Sequence, residues 1–312
     1  MRRHRDFLSL EGRSPSDITR WLDLAARLKR ARGTSQPLRG RVLALLFQKP
    51  SMRTRVAFEV GMHQLGGTAI YLGPDDLQLG VREPTKDVAR VLARYADAIV
   101  ARTFAHADVE ELARYADVPV INGLSDRHHP CQALADLLTV REACGRLRGV
   151  TLAYIGDGNN VLHSLLEGAS RVGMHVQIAT PRGYEPNRTI WNDAVAWGHK
   201  SGARLTATHD PRQAARGADV LYTDVWTSMG QERERQQRLC AFRGYQINDA
   251  LLALAKPRCR VLHCLPAHRG EEITDAVMEG PRAAVFDQAE NRLHVHKAIL
   301  LDLLTRHQGA RA

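Results

Sequence analysis

The feature that most constrains the fold is a regular alternation between short, β-rich apolar runs and longer segments with helical periodicity. Apolar runs of this kind lie at 42–47, 69–72, 98–101, 118–121, 150–155, 176–179, 203–207, 220–222, 261–263 and 284–286. Short strands that alternate with helical segments are typical of parallel sheets covered by helices. The sequence therefore predicts an α/β protein built on parallel sheets.

The length and one break in this pattern predict two domains. The chain has 312 residues, which suits two domains of about 150 residues each. A helical pattern from Pro130 to about Ala143 ends at Gly145, and a new strand follows Gly149. We expect a doubly wound domain at 1–145, a second one at 146–287, and a final helix at 288–306.

The charge pattern bears on the class of partner. The net charge is +10, but lysine occurs only at positions 29, 49, 86, 200, 256 and 297, and the arginines are scattered among acidic residues. A nucleic-acid-binding protein usually shows a dense basic tract or aromatic platforms, and neither is present here. Anionic small molecules explain the charge as well, whereas DNA binding with a steep salt dependence would favour the competing class.

The cysteines predict the compartment. The chain has five, an odd number, with no Cys-x-x-Cys pair, no recognisable signal peptide and no apolar run long enough for a membrane span. Disulfide frameworks use even numbers of cysteines in oxidising compartments. We therefore expect a protein of the reducing cytoplasm, with no membrane or nucleic-acid partner.

One stretch, Phe47-Gln48-Lys49-Pro50-Ser51-Met52-Arg53-Thr54-Arg55, has the pattern of a strand end, a tight loop and a helix start. Pro50 disfavours helix before it, and Ser51 is a good N-cap. A helix N-terminus offers backbone N–H groups and a positive dipole end, and Arg53 and Thr54 add charge and a hydroxyl. The stretch therefore predicts a phosphate site.

Other polar residues also follow predicted strands, where ligands bind in doubly wound sheets. They are Arg102, the helix start at 129–132, the turn at 156–160, the segment 224–230, and the segment 263–266. The turn Gly156-Asp157-Gly158-Asn159-Asn160-Val161 is close to a dinucleotide-binding fingerprint. Val161 replaces its third glycine, however, and no acidic residue for a ribose follows the next strand. A nucleotide cofactor is therefore disfavoured.

These motifs are similar to those of the transcarbamoylase family. The segment Lys49-Pro50-Ser51-Met52-Arg53-Thr54-Arg55 resembles that family's Ser-x-Arg-Thr-Arg loop, and the segments 129–132, 156–160, 224–230 and 263–266 resemble its ornithine branch in order. Met52 is a mild departure, because many relatives have Thr there. The resemblance runs from about residue 7 to 304. It implies transfer of a carbamoyl group from carbamoyl phosphate to the δ-amine of L-ornithine, giving L-citrulline and phosphate in arginine metabolism, and a final helix that returns to the first domain.

The resemblance also assigns the residues that bind carbamoyl phosphate. They are Ser51, Met52, Arg53, Thr54, Gln78, Arg102, His129, Gln132, Cys264, Leu265 and Arg292. The reaction expels phosphate while a carbonyl oxygen becomes negative, so cations and donors are needed at both places. Arg53 and Arg102 suit the phosphate, and Thr54, His129 and Arg292 suit the developing oxyanion together with Arg53.

For ornithine, the resemblance assigns binding to Asn160, Asp224, Ser228 and Met229, and catalysis to Cys264, Asp224, Arg102 and His129. A carboxylate at Asp224 suits a substrate ammonium, whereas an aspartate substrate would need cations. The aspartate branch has His-Pro-Leu-Pro at 263–266, so Cys264 also favours ornithine. The δ-amine, with a pKa of about 10, must lose a proton before it attacks. Asp224 and Cys264 are the groups expected to position and deprotonate it.

The resemblance further implies a homotrimer or an assembly of trimers, because the loop 76–80 is similar to one whose Gln reaches a neighbouring subunit's carbamoyl phosphate, here Gln78. It implies no cofactor. We expect no metal either, since His294 and His296 lie two apart on a predicted helix and point in different directions. Acetylornithine or putrescine remain alternative substrates. The sequence also leaves open synthesis or breakdown of citrulline, because both directions use the same groups.

Overall fold

The computed structural model describes residues 6–31, 35–76, 79–80, 82–228 and 230–305. The chain forms two compact units. Unit 1 contains the residues up to Ala135 together with those from Asn291 onward, and unit 2 contains Asp136–Glu290. The chain therefore crosses between the units twice.

Unit 1 has a four-stranded parallel sheet in the order β2-β1-β3-β4. Its strands are β1 Val42–Phe47, β2 Thr68–Leu72, β3 Ala98–Arg102 and β4 Val120–Leu124; its helices are α1 Pro15–Arg30, α2 Met52–Gln64, α3 Thr85–Tyr95, α4 His106–Tyr115 and the start of α5 Pro130–Cys144. The central strands β1 and β3 are almost continuously buried, as expected for strands covered on both faces.

Unit 2 has a five-stranded parallel sheet in the order β7-β6-β5-β8-β9. Its strands are β5 Thr151–Ile155, β6 His175–Ala179, β7 Leu205–Thr208, β8 Val220–Thr223 and β9 Arg260–His263. Its helices are the end of α5, α6 Asn160–Arg171, α7 Arg188–Ser201, α8 Pro211–Ala215, a 3-10 turn at Glu232–Glu234, α9 Arg235–Ala241, α10 Asp249–Leu252, α11 Asp275–Glu279 and the start of α12 Val285–Thr305. The predicted fold class, two parallel sheets flanked by helices, is confirmed.

Each sheet has one point where the strand order reverses direction. In unit 1 this point lies between β1 and β3, and in unit 2 it lies between β5 and β8. Loops that leave neighbouring strands at such a point diverge to opposite faces and open a crevice at the carboxyl edge. The residues after β1, β3, β5 and β8 are therefore the ones that the topology places for ligand binding.

The predicted strand at 284–286 is wrong. Helix α12 already begins at Val285, and only Ala283 pairs with the sheet, through an isolated bridge to Val261. A three-residue apolar run has no periodicity of its own, and here the helix that follows extends back through it.

The final helix packs on unit 1, as the resemblance implies. The indole Nε1 of Trp21 donates to Asp302 at 2.9 Å, and the ring of His296 stacks on Phe58 with centroids 3.8 Å apart. Among the described helices, none has the length and apolar character needed to cross a bilayer.

Candidate active site

The loop after β1 forms the predicted helix start. Ser51 is the N-cap of α2, with extended backbone angles, and its hydroxyl oxygen accepts the backbone N–H of Thr54 at 3.4 Å. Met52, the first residue of α2, is 70% exposed, so this position offers the helix start its backbone N–H more than its side chain. The first turn of α2 is thus fixed by its own cap at the carboxyl edge of the sheet.

Thr54 and Arg292 meet inside unit 1. Thr54 is fully buried, and its Oγ1 accepts a hydrogen bond from Nη2 of Arg292 at 2.5 Å. Arg292 lies on α12, just after the chain returns to unit 1. The returning helix therefore places its arginine against the first turn of α2.

His129 lies in a buried and positively charged part of unit 1. Burial is the main cause that holds the pKa of His129 well below its ordinary value, and the positive charges of Arg292, Arg102 and Arg53 add to it. The imidazole is therefore neutral at pH 7 and can donate a hydrogen bond without carrying charge. Arg102 is also buried, and it pairs with Phe47 at the end of β1 in the sheet register.

Unit 1 thus gathers most of the residues predicted to bind carbamoyl phosphate. Gln132 is buried in the first turn of α5, where its backbone N–H donates to the carbonyl of His129 at 3.1 Å. Gln78 lies outside the described residues. Buried arginines beside a helix N-terminus and a neutral histidine form a site for an anion that also carries a polar carbonyl group.

In unit 2, the sheet register brings Asp224 and Cys264 together. They follow Thr223 and His263, which are partners in the β8–β9 pairing. The thiol of Cys264 donates to Oδ1 of Asp224 at 2.9 Å. Oδ1 also accepts the backbone N–H of Val225 at 2.8 Å, so the carboxylate is held in one orientation.

Asn159 is a residue that the sequence analysis missed. Its Nδ2 donates to Oδ2 of Asp224 at 2.8 Å, while its Oδ1 accepts the backbone N–H groups of Val161 and Leu162 as the N-cap of α6. The strong preference of Asn for N-cap positions could have identified it. Asn160, predicted to bind ornithine, is the half-buried first residue of α6.

Arg238 ties two loops of unit 2 together. Its Nη1 donates to Oδ2 of Asp157 at 2.9 Å and to the carbonyl of Trp226 at 3.0 Å. Burial raises the pKa of Asp157 to about 6, while the charge of Arg238 acts in the opposite direction. Farther along the loop, the N–H of Ser228 donates to Gln231 at 3.0 Å. Met229 lies outside the described residues.

Three neighbouring side chains of unit 2 are of the types that bind metal ions. Ligand atoms of Asp224, His263 and Cys264 lie within 4.8 Å of one another. However, the ring nitrogens of His263 contact the Leu265 N–H and the Glu272 carboxylate. The Cys264 thiol is hydrogen-bonded to the Asp224 carboxylate. A metal ion would have to displace these contacts.

Comparison with known proteins places both units in one family. Residues 5–142 match the carbamoyl-P binding domain of aspartate/ornithine carbamoyltransferases, and residues 148–303 match the Asp/Orn binding domain. The ornithine carbamoyltransferase of Acidothermus cellulolyticus is 56% identical over 306 residues, which cover 98% of each chain.

Solved structures agree with these matches. The structure is similar to ornithine carbamoyltransferase from Pyrococcus furiosus, with a TM-score of 0.94 and 50% identity over 96% of this chain and 97% of that one. It is also similar to the anabolic ornithine carbamoyltransferase from Campylobacter jejuni, with a TM-score of 0.93 and 37% identity over 97% of this chain and 100% of that one. Because both domains match in chain order and the similarity spans nearly the whole length, the chain belongs to the aspartate/ornithine carbamoyltransferase family.

Proposed function

We propose that this protein is an ornithine carbamoyltransferase, which transfers the carbamoyl group of carbamoyl phosphate to the δ-amine of L-ornithine and releases L-citrulline and phosphate. The observation that carries the choice of ornithine is the 2.9 Å contact between the Cys264 thiol and the Asp224 carboxylate. A carboxylate at this point attracts an ammonium group and repels the second carboxylate of an aspartate substrate.

Unit 1 supplies the groups for carbamoyl phosphate. Arg53 and Arg102, with the backbone N–H groups at Ser51 and Met52, bind the phosphate oxygens. The carbonyl oxygen gains negative charge when the carbonyl carbon is attacked. That charge is stabilised by Arg292 and Thr54, whose Nη2 and Oγ1 atoms lie 2.5 Å apart. The neutral His129 and Gln132 add to this effect, because donors fixed in a buried site need no rearrangement.

Unit 2 supplies the groups for the amine. Asp224 binds the δ-ammonium, and one proton of that group passes to the Asp224 carboxylate, which the Cys264 thiol orients, so that the nitrogen lone pair can attack the carbonyl carbon. The new C–N bond forms as the C–O bond to phosphate breaks, and phosphate leaves with the bonding electrons. Asn160, Ser228 and Met229 hold the amino-acid end of ornithine, and Cys264 and Leu265 also contact the carbamoyl phosphate.

An amine panel tests the substrate assignment. Purified protein is supplied with carbamoyl phosphate and one of L-ornithine, Nα-acetyl-L-ornithine, putrescine or L-aspartate, and each carbamoylated product is quantified by mass spectrometry. We expect L-ornithine to have a kcat/KM at least about a hundredfold above the others, which corresponds to roughly 2.7 kcal/mol of discrimination. A preference for acetylornithine, putrescine or aspartate would contradict the assignment.

We further infer a homotrimer in which Gln78 completes a neighbour's carbamoyl-phosphate site. Exposed apolar side chains on α2 and the edge strand β2 support an interface there: Met52 is 70% exposed, Val56 48% and Ile70 50%. We expect Arg53→Ala and Gln78→Ala subunits each to have little activity alone. Dissociated and reassembled together, they should regain activity if sites combine residues from two subunits. Activity equal to the mean of the parents would exclude sharing.

The cellular role is inferred to be arginine biosynthesis in the cytoplasm. The anabolic Campylobacter jejuni relative supports the direction, and an odd number of cysteines, five, suits a reducing compartment. Expression of the protein in a bacterial strain that lacks this activity should restore growth without arginine. Continued dependence on arginine despite active soluble protein would contradict the biosynthetic role.

A further inference from the structure

The turn after β9 contains a backbone conformation that its own sequence does not favour. Leu265 has a φ of 60°, in the left-handed region that residues with a Cβ rarely adopt. The same turn carries Cys264, whose thiol lies against Asp224. The shape of the turn therefore sets the direction of the thiol, and contacts from outside the turn are needed to keep that shape.

His263 provides the first of these contacts. Its side chain is completely buried, and its Nδ1 lies 2.9 Å from the backbone nitrogen of Leu265. A backbone N–H can only donate, so Nδ1 must carry a lone pair and no hydrogen. A neutral ring in this place must therefore have its hydrogen on Nε2.

Glu272 requires the same tautomer from the other side of the ring. Its Oε1 lies 3.0 Å from Nε2 of His263, and both side chains are completely buried. A carboxylate only accepts hydrogen bonds, so Nε2 must donate. Glu272 is itself fixed, because Oε1 also accepts the His268 N–H at 2.5 Å and its backbone carbonyl accepts the Ile247 N–H at 2.9 Å.

The backbone of His263 is held as firmly as its ring. Its N–H donates to Oε1 of Gln288 at 2.9 Å, and Nε2 of Gln288 donates to Oδ1 of Asp136 at 2.6 Å. Asp136 also accepts the hydroxyl of Tyr222 at 3.1 Å. The imidazole therefore has little freedom, and its hydrogen-bonding pattern is transmitted directly to the turn.

We propose that His263 and Glu272 are positioning residues for the carbamoyl transfer. Glu272 selects the tautomer with hydrogen on Nε2, Nδ1 then holds the Leu265 N–H, and the turn presents the Cys264 thiol to Asp224 and the substrate amine. The inference rests on the proposed function, which gives Cys264 and Asp224 their substrate. Neither His263 nor Glu272 takes part in the chemistry itself.

Two substitutions of His263 separate its two contacts. In His263→Asn, the amide oxygen stands where Nδ1 was and can accept the Leu265 N–H. In His263→Gln, the amide reaches towards Glu272 but leaves that N–H without an acceptor. We expect the Asn variant to keep its ornithine KM within about threefold of the parent and the Gln variant to raise it about tenfold or more. Equal kinetics in the two variants would overturn the proposal.

His175 offers a matched control. Its Nδ1 also accepts a backbone N–H, that of Arg204 at 3.0 Å, at the start of β6. His175→Asn and His175→Gln should both leave the ornithine KM unchanged. A rise in both His175→Gln and His263→Gln would show a general cost of losing such a contact, and the proposal would be wrong.

Two readouts do not depend on activity. Nitrogen and carbon NMR of protein with labelled histidine should show hydrogen on Nε2 for the ring whose signals vanish in His263→Asn; hydrogen on Nδ1 would overturn the proposal. Alkylation of Cys264 by iodoacetamide, followed by peptide mass spectrometry, should change severalfold in His263→Gln and stay within about twofold in His263→Asn. Both measurements remain decisive if no citrulline forms, a result that would count against the proposed function alone.

Discussion

Both oxygens of the Asp224 carboxylate accept a hydrogen bond: Oδ1 from the Cys264 thiol at 2.9 Å and Oδ2 from the Asn159 amide at 2.8 Å. Asp224 follows β8, Cys264 follows β9, and Asn159 lies in the turn after β5. These strands are neighbours in the sheet of unit 2, in the order β5-β8-β9. An anionic group in a fixed orientation at the carboxyl edge of a sheet is suited to bind and orient a cationic substrate group.

Asp224→Asn is expected to damage ornithine use selectively. The amide keeps the shape of the side chain but loses the charge that attracts the ammonium, so a charged hydrogen bond of roughly 1.5 to 3 kcal/mol is lost. The ornithine KM or kcat/KM should worsen about 10- to 150-fold. Calorimetry should show carbamoyl-phosphate affinity within about twofold of the parent. An equal loss for both substrates would show that Asp224 has a general structural role.

Cys264→Ser and Cys264→Ala separate the hydrogen bond to Asp224 from the thiol chemistry. Serine can still donate to Oδ1, whereas alanine cannot, so the alanine variant should have the higher ornithine KM. If the thiol also takes part in proton movement, both variants should change the pH dependence of kcat. Full activity and an unchanged pH profile in Cys264→Ala would remove Cys264 from the mechanism.

Arg53→Ala and Arg102→Ala should each weaken carbamoyl-phosphate binding or rate about 10- to 150-fold, because each removes a charged hydrogen bond to the phosphate. Arg55→Ala is the matched control, since its guanidinium pairs with Glu59 at 2.9 Å and lies over the ring of Tyr71. The control should retain parental affinity. Parental affinity in the Arg53 and Arg102 variants would instead contradict the phosphate site.

The sequence predicted the alternation of strands and helices along the chain, the helix start after Ser51, and the polar residues that follow strands. These features depend on local patterns and on turn chemistry. It could not predict that Asn159 reaches Asp224, since that contact depends on the pairing of β5 with β8. The Thr54–Arg292 bond likewise depends on where α12 returns to unit 1. The predicted strand at 284–286 failed because a short apolar run is compatible with either structure.

Asn159→Ser and Asn159→Asp are expected to differ in function more than in stability. Serine can still cap α6 but is too short to reach Asp224, so the ornithine KM should rise about 2- to 10-fold, the value of one ordinary hydrogen bond. Aspartate also caps the helix but places a second carboxylate against Asp224. It should therefore raise KM more than serine while thermal stability stays close to that of the serine variant. Parental kinetics in both variants would exclude a positioning role for Asn159.

His296 makes the folded state sensitive to acid. Burial, followed by the charge of Arg292, holds the pKa of His296 well below its ordinary value, and neither ring nitrogen has a hydrogen-bond partner among the described residues. Below about pH 6.5 the unfolded chain therefore binds a proton that the folded chain does not. Stability is present above this pH and is lost as the pH falls.

Replacing this histidine should reduce the acid sensitivity. In His296→Phe, the slope of unfolding free energy against pH between about pH 6.5 and 5 should be smaller by up to about 1.4 kcal/mol per pH unit. Urea unfolding at several pH values measures this slope. An unchanged slope would mean that His296 binds its proton equally well in the folded state.

The most direct test of the account is the stoichiometry of the reaction catalysed by the purified protein. Carbamoyl phosphate carrying a labelled carbonyl carbon is mixed with L-ornithine, and citrulline and phosphate are measured together over time. The account predicts label in the ureido carbon of citrulline and one phosphate released for each citrulline formed, with no added metal or cofactor. Phosphate release without citrulline, or labelled citrulline at the rate seen without protein, would contradict it.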